Sequence, residues 1–469
     1  MERRRPCHQR LTFGDALRTI RAVKHSYGLA ALDAAGPLSL KGSAVLHLQM
    51  HDVEQLFSHP RIADPATAAR EATLKIAADE IRPGQRVAVP VGSRGIVALS
   101  SIVRSIVRAL SELGAEPFIV PAMGSHGGGT GEGQRRVLET LGVTDASVGA
   151  PVIASMETVP IGMTPEGIPV VMDARAAQAD HILVVNRIKP HTEFGGPLQS
   201  GLTKMLLIGL GKHEGAIGYH RAAMELSFET VIRSAARVVL DKAPVLGGIA
   251  IIENANEEVA EIVPLRAADL LTTEPALLQR AAGYMAAIPF DNVDLLIVDE
   301  IGKDISGSGM DTNVIRRKHW ADTQIGEVVE RNAPKRIYVR DLTDATEGNA
   351  AGIGLADFAL ESILDRVDWR KTRINAVTAT RPRGAMVPIV CANDVEAIEM
   401  ALASAGVGAV ADARVVRVCD TLHLRHLQAS KEAVAHLCPK ATVRVTPASV
   451  PLQFDGCGML IPRKLRRQL

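Results

Sequence analysis

The sequence predicts an α/β protein of two domains with mainly parallel sheets. Three observations carry that prediction. Short aliphatic runs alternate with amphipathic helical stretches at close spacing, the strand–loop–helix repeat of a parallel sheet. The chain is 47% hydrophobic but only 3% aromatic, and aliphatic residues with glycine dominate, as in strands buried on both faces. At 469 residues it exceeds what one ordinary core holds.

Bulk properties exclude several classes of function. Charged residues are 22% and the net charge is +1, which gives no electrostatic pull toward nucleic acid. Few aromatics leave little for base stacking. Five scattered cysteines (Cys7, Cys391, Cys419, Cys438, Cys457) form no CxxC pair, so neither a disulfide framework nor a cysteine-rich metal site is expected. The basic start MERRRPCHQR leads into no apolar signal region, and no 18-residue uncharged apolar run appears. A cytoplasmic setting without a membrane partner is expected.

The elements follow in order. Residues 1–45 lack a pattern and are set apart as an N-terminal extension. Residues 46–287 form the first domain. Ala68 to Ile81 has helical periodicity, and Arg86 to Val91 reads as a strand ending at Gly92-Ser93-Arg94-Gly95. Ile96 to Leu113 is a helix. Pro117 to Pro121 is a strand that runs into Met123-Gly124-Ser125-His126 and the glycines Gly127, Gly128 and Gly129, before a helix from Glu132 to Leu141. Short strands with Gly/Pro turns are expected over Pro151 to Met172, then a buried strand over Ile182 to Val185. A helix is expected over Ala222 to Asp241, a strand over Val245 to Glu253, and one or two helices over Glu261 to Met285 with Pro275 as a break. Residues 288–469 form the second domain. Its expected strands are Val293 to Val298, Arg336 to Val339, Asn375 to Thr380 and Val415 to Val418. Its expected helices are Leu355 to Asp365 and Val395 to Ala403.

Ligands of open α/β sheets bind beyond the carboxyl ends of the strands. Four segments leave a strand there with polar residues: Gly92-Ser93-Arg94, Gly124-Ser125-His126, Lys189-Pro190-His191 and Glu300-Ile301-Gly302-Lys303. Arg94 suits a carboxylate or phosphate, unless it is an ordinary surface arginine. The loop after His126 opens onto a helix N-terminus, where N–H groups favour an anion, although it is neither a GxGxxG nor a P-loop. His191, behind the rigid Pro190, suits a general base or a metal ligand. Lys204 enters the apolar run Met205 to Ile208, where a lysine either snorkels or reacts as an amine. His213 and His220 are seven apart, but intervening glycines argue against one continuous helix. The zinc signature HExxH is absent.

In order, these pieces resemble the nickel-pincer lactate racemase family: Ser93-Arg94; Gly124-Ser125-His126 with Thr130 and Glu132; Pro190-His191, Phe194, Gly196, Ser200-Gly201 and Lys204; His220; and Lys303-Asp304-Ile305. The match spans roughly residues 84–310. The resemblance implies two α/β domains with the active site in the crevice between them. It implies a nickel-bound pyridinium mononucleotide carrying thioamide and thiocarboxylate sulfurs. Lys204 would tether it covalently, His220 would ligate nickel, and Gly127, Gly128, Gly129, Ser200 and Gly201 would line its seat. His126 and His191 would be two bases, one on each face of a 2-hydroxy acid held by Arg94, Lys303 and Glu300. The implied partners are the substrate and the enzymes that make the cofactor; an assembly of like subunits is compatible.

The chain also departs from the family's pattern. Val91 stands where an acidic residue is usual, and Gly127 where an arginine follows the loop histidine. The His191–Lys204 spacing is longer by a few residues, and neither Trp320 nor Trp369 matches the family's second-domain tryptophan. A 2-hydroxy acid larger or more polar than lactate is therefore expected. Two other classes compete. A nicotinamide-dependent oxidoreductase would need a GxGxxG fingerprint, which is missing. A non-catalytic carrier of an anion or of nickel would use the same crevice without needing both histidines.

Overall fold

The computed structural model describes residues 43–93, 95–321, 324–329, 332–379, 381–439 and 441–461. The expected extension thus lies outside the described residues up to residue 42.

The first sheet runs Glu116–Pro121, Arg86–Val91, His181–Arg187, Val245–Glu253, Val259–Arg266 from edge to edge. Its first four strands are parallel and the last is antiparallel. Successive side chains of a strand point to opposite faces, and here both faces are covered. Val87, Val89, Val91, Leu183 and Val185 meet the helices Pro65–Ala77 and Leu99–Glu112. Ala88, Ile182, Val184, Ala250 and Ile252 meet the layer of Leu202–Lys204, Phe228–Lys242 and Leu270–Tyr284. This two-faced burial is why the strands read as unbroken aliphatic runs.

The second sheet has nine strands. Its parallel half runs Ile389–Cys391, Phe358–Leu360, Arg336–Leu342, Leu295–Ile301, Val415–Val418. His426–Ser430, Gln49–Gln55, Val443–Val445 and Val450–Pro451 extend it in antiparallel fashion. Gln49–Gln55 was expected with the first domain, yet it pairs with His426–Ser430 in the second sheet. Main-chain bonding to a distant partner decided this, and nothing local announces it. No described helix is long and apolar enough to cross a membrane.

Several elements differ from expectation. The stretch from Glu261 begins in a strand, Val259–Arg266, because Asn254 turns the chain: its side chain accepts from the N–H groups of Asn256 and Glu258 at 2.9 and 3.1 Å. The helix Leu270–Tyr284 then passes through Pro275 without breaking. Over Leu355 to Asp365, the strand Phe358–Leu360 replaces the first part of the expected helix because it is buried between two parallel neighbours, and the helix Ser362–Arg366 keeps the last part. Asn375 to Thr380 was expected as a strand; its described part belongs to the helix Trp369–Thr378, which Asp368 caps through the Lys371 N–H. Lys212–Ala222 is one continuous helix despite its glycines.

Two helical glycines, Gly133 in Gly131–Thr140 and Gly218 in Lys212–Ala222, separate packing from propensity. A Cβ on Gly133 would lie 1.8 Å from the Gly127 carbonyl oxygen, whereas one on Gly218 would meet nothing within 4 Å. Both positions are helical, where alanine is favoured by roughly 1 kcal/mol. Gly133→Ala should nevertheless destabilise by about 2 kcal/mol through overpacking. Gly218→Ala should stabilise by about 0.5–1 kcal/mol. Urea-denaturation midpoints of the two variants moving in the same direction would refute this.

Candidate functional site

The order of the first sheet fixes where a site can form. From Arg86–Val91 the chain moves to one side, then crosses back to the other at His181–Arg187. Such a reversal opens a crevice at the carboxyl ends of the strands. Gly92-Ser93, Ala122 to His126 and Ile188 to His191 all leave the sheet at that edge. Loops of the second sheet reach the same place. Lys189 Nζ is 3.1 Å from Asp311, the Asn313 side chain donates to the His191 carbonyl at 3.4 Å, and Thr312 donates to the Thr192 carbonyl. Glu193 receives Ser308 Oγ and pairs with Arg381 at 3.0 Å.

Three of the expected residues share one aromatic stack. A bridge between Lys189 and Ser200 closes the loop that carries His191. The His191 ring lies on Phe194 at 3.6 Å between centroids, Phe194 on Phe228 at 3.7 Å, and His220 tilts against Phe228 at 5.7 Å. Lys204 Nζ stands 5.1 Å from the Phe194 ring centre, where the ring face attracts a cation. His191 Nδ1 accepts from the Glu193 N–H at 3.1 Å, so a neutral ring carries its hydrogen on Nε2. Lys204 is followed by a π-turn, Met205–Gly209, closed by Leu210 N–H donating to the Met205 carbonyl at 3.0 Å. Such wide turns concentrate at functional positions. Burial, then the positive charges of Lys204 and Arg381, pushes His220 down to about 4, so its imidazole is neutral at pH 7. Neutral imidazole is the metal-binding form.

His126 stands at the end of the neighbouring strand, with Nδ1 2.5 Å from Ser93 Oγ. Gly127, Gly128 and Gly129 follow with φ of +65°, +68° and +66°, a left-handed run suited to glycine. Thr130 then caps the helix Gly131–Thr140 by accepting from the Gly133 N–H. His213, at the start of the next helix over, is exposed and faces this loop: a Cβ on Gly129 would lie 3.7 Å from its Nδ1. On the second sheet, Glu300 is half-buried on Leu295–Ile301, and Lys303 donates to the Gly307 carbonyl. Arg94 lies outside the described residues, as does the side chain of Trp320.

Sequence reasoning passed over Glu193, Arg381, Phe228 and Glu274. The last lies beneath Lys204. Its carboxylate accepts from both the N–H and Oγ1 of Thr203 at 2.9 Å, capping the helical turn Leu202–Lys204 from another element. Gly201 must lack a side chain here, since a Cβ would come within 2.1 Å of Glu274 Oε1. The Gly201 carbonyl meanwhile accepts from Asn186 Nδ2 at 2.9 Å.

Burial raises Glu274 from its ordinary value of 4.5 to about 7, against the opposing hydrogen bonds of Thr203. Between those values the folded protein holds a proton that the unfolded chain has released. Stability must therefore fall as pH rises from 4.5 to 7, by about 3 kcal/mol, and level off above. Glu274→Gln keeps an oxygen for Thr203 and removes the titration. Its stability relative to the parent should improve by that order across this window, read from urea unfolding at stepped pH. Parallel curves for the two proteins would exclude a carboxyl titrating there.

Residues 71–230 match the family model described as the lactate racemase N-terminal domain. No curated protein matches the chain. Among solved structures, the lactate racemase apoprotein from Thermoanaerobacterium thermosaccharolyticum is similar at 12% identity and a TM-score of 0.47, covering 77% of this chain and 92% of that one. A crystal structure of a Thermotoga maritima protein is similar at 14% identity and a TM-score of 0.43, covering 70% and 84%. The stretch that carries His126, His191, Lys204 and His220 thus lies within the part of the chain that matches the lactate racemase N-terminal domain model.

Proposed function

We propose that this chain is a racemase or epimerase of a 2-hydroxy acid that works with a nickel-bound pyridinium mononucleotide. The observation that carries the proposal is the stack that unites His191, Lys204 and a neutral His220 inside the domain matched to the lactate racemase model. Its residues fit such a group. The Lys204 amine stands at an apolar, aromatic wall, and His220 offers an uncharged ring nitrogen. Lys204 would hold the cofactor covalently and His220 its nickel, with Ser200 and the run Gly127 to Gly129 beside it.

When bound, the cofactor supplies a reversible acceptor for the hydride on the substrate's C2. The chain's own residues handle the proton and the grip. His126 and His191 exchange the proton of the substrate hydroxyl, one for each enantiomer, which lets the reaction run both ways. Ser93 orients the His126 ring and Glu193 N–H orients that of His191. Lys303, Glu300 and Arg94 hold the carboxylate and hydroxyl region. Val91 and Gly127, and the longer loop through Pro197 to Gln199, support a substrate other than lactate.

Co-expression with the cofactor-making enzymes tests the proposal. The purified chain should carry about one nickel and a mass increment localised to Lys204. Lys204→Ala should lose the covalent increment, and His220→Ala should keep it while losing most of the nickel. His126→Ala and His191→Ala should each retain nickel and lose turnover by roughly 10²–10⁴-fold. A chain without increment or nickel under these conditions is not a pincer enzyme.

A further inference from the structure

Lys212 is fully buried, yet it is a lysine in the left-handed region, at φ +54°. A cation away from water is costly unless oxygens surround it, and a non-glycine residue at positive φ adds strain. Three oxygens from three segments surround it. Lys212 Nζ donates to the Pro121 carbonyl at 2.5 Å and to Gln134 Oε1 at 3.2 Å, and pairs with Asp173 at 3.1 Å. Asp173 is also fully buried, and its other oxygen caps the short helix Ala174–Ala177. Gln134, likewise fully buried, turns its amide the other way. Nε2 donates to the Gly124 carbonyl at 2.8 Å and to the His126 carbonyl at 3.5 Å. Pro121 and Gly124 bracket the loop that delivers His126, and Lys212 opens the helix that carries His220.

We propose that Lys212, Gln134 and Asp173 are positioning residues for His126. They form a buried relay that fixes the His126 loop against the helix bearing His220. The consequence for catalysis rests on the reading of His126 as a base; the positioning itself does not. Ground-state binding residues lie elsewhere, so loosening the relay should lower kcat more than it raises KM.

Gln134→Met tests this, because it keeps side-chain length while deleting the donor to the loop. Lys212→Met combined with Asp173→Asn is the second variant. It removes the charge pair together, leaves no buried charge unmatched, and keeps an acceptor on the short helix. Both are read without cofactor, by side-chain NMR of ¹³C,¹⁵N-histidine-labelled protein. The His126 signal is identified with His126→Gln. The expected result is a displaced or broadened His126 signal with the other histidines little changed, and faster proteolysis at Gly127 to Gly129. In holoenzyme, kcat should fall at least tenfold with nickel content and KM nearly unchanged. A folded variant with an unmoved His126 signal and an unaltered kcat overturns the proposal. A displaced signal in a chain that racemises nothing upholds the positioning and removes only the catalytic reading.

Discussion

A single ammonium group without water sets the geometry of the first unit. Lys212 Nζ must be satisfied by protein oxygens, and they come from the end of one strand, the helix after the glycine run and the end of the hairpin Thr158–Met163 and Pro169–Asp173. Burial lowers the lysine's affinity for its proton, and Asp173 opposes that. Removing either partner alone leaves an uncompensated charge in the interior, which costs about 3–5 kcal/mol. The arrangement is therefore all or nothing. It fixes where the His126 loop, the π-turn after Lys204 and the helix to His220 stand with respect to one another, through bonds such as Asp173 N–H to the Leu210 carbonyl at 2.7 Å.

Much of this was legible in the sequence where the cause is local. The inner strands of the first sheet were readable because burial on both faces leaves no choice but aliphatic residues. Lys-Pro-His and the glycine run were readable because proline and glycine constrain the backbone wherever they occur. Val259–Arg266 and Phe358–Leu360 were not, since pairing with distant strands outweighs helical spacing in short segments. Asn254, in an Asn-Ala-Asn turn, was the available signal for the former.

The same division holds in the candidate site. His126, His191, Lys204 and His220 stand in segments with a recognisable order. Glu274 acts on Thr203 from 71 residues away, and Arg381 reaches Glu193 from the second unit, so neither carries a local signature. Lys212, between Gly211 and His213, has no local sequence signature of burial and is fully buried in the structure. The glycines around it also misled: Gly211 and Gly215 are small because Leu207 and Tyr219 approach them, not because the helix ends.

The charged groups at the crevice are drawn from both sheets. Lys189 is matched by Asp311 and Arg381 by Glu193, both across the crevice. Lys204 stands over the Phe194 ring, and together with Arg381 it helps keep His220 unprotonated. Cationic neighbours disfavour imidazolium without disfavouring a neutral ring that offers a lone pair. They equally favour a negatively charged ligand in the same space. One set of charges thus keeps the histidine neutral and ties the two sheets together, because Arg381 and Asp311 belong to the second.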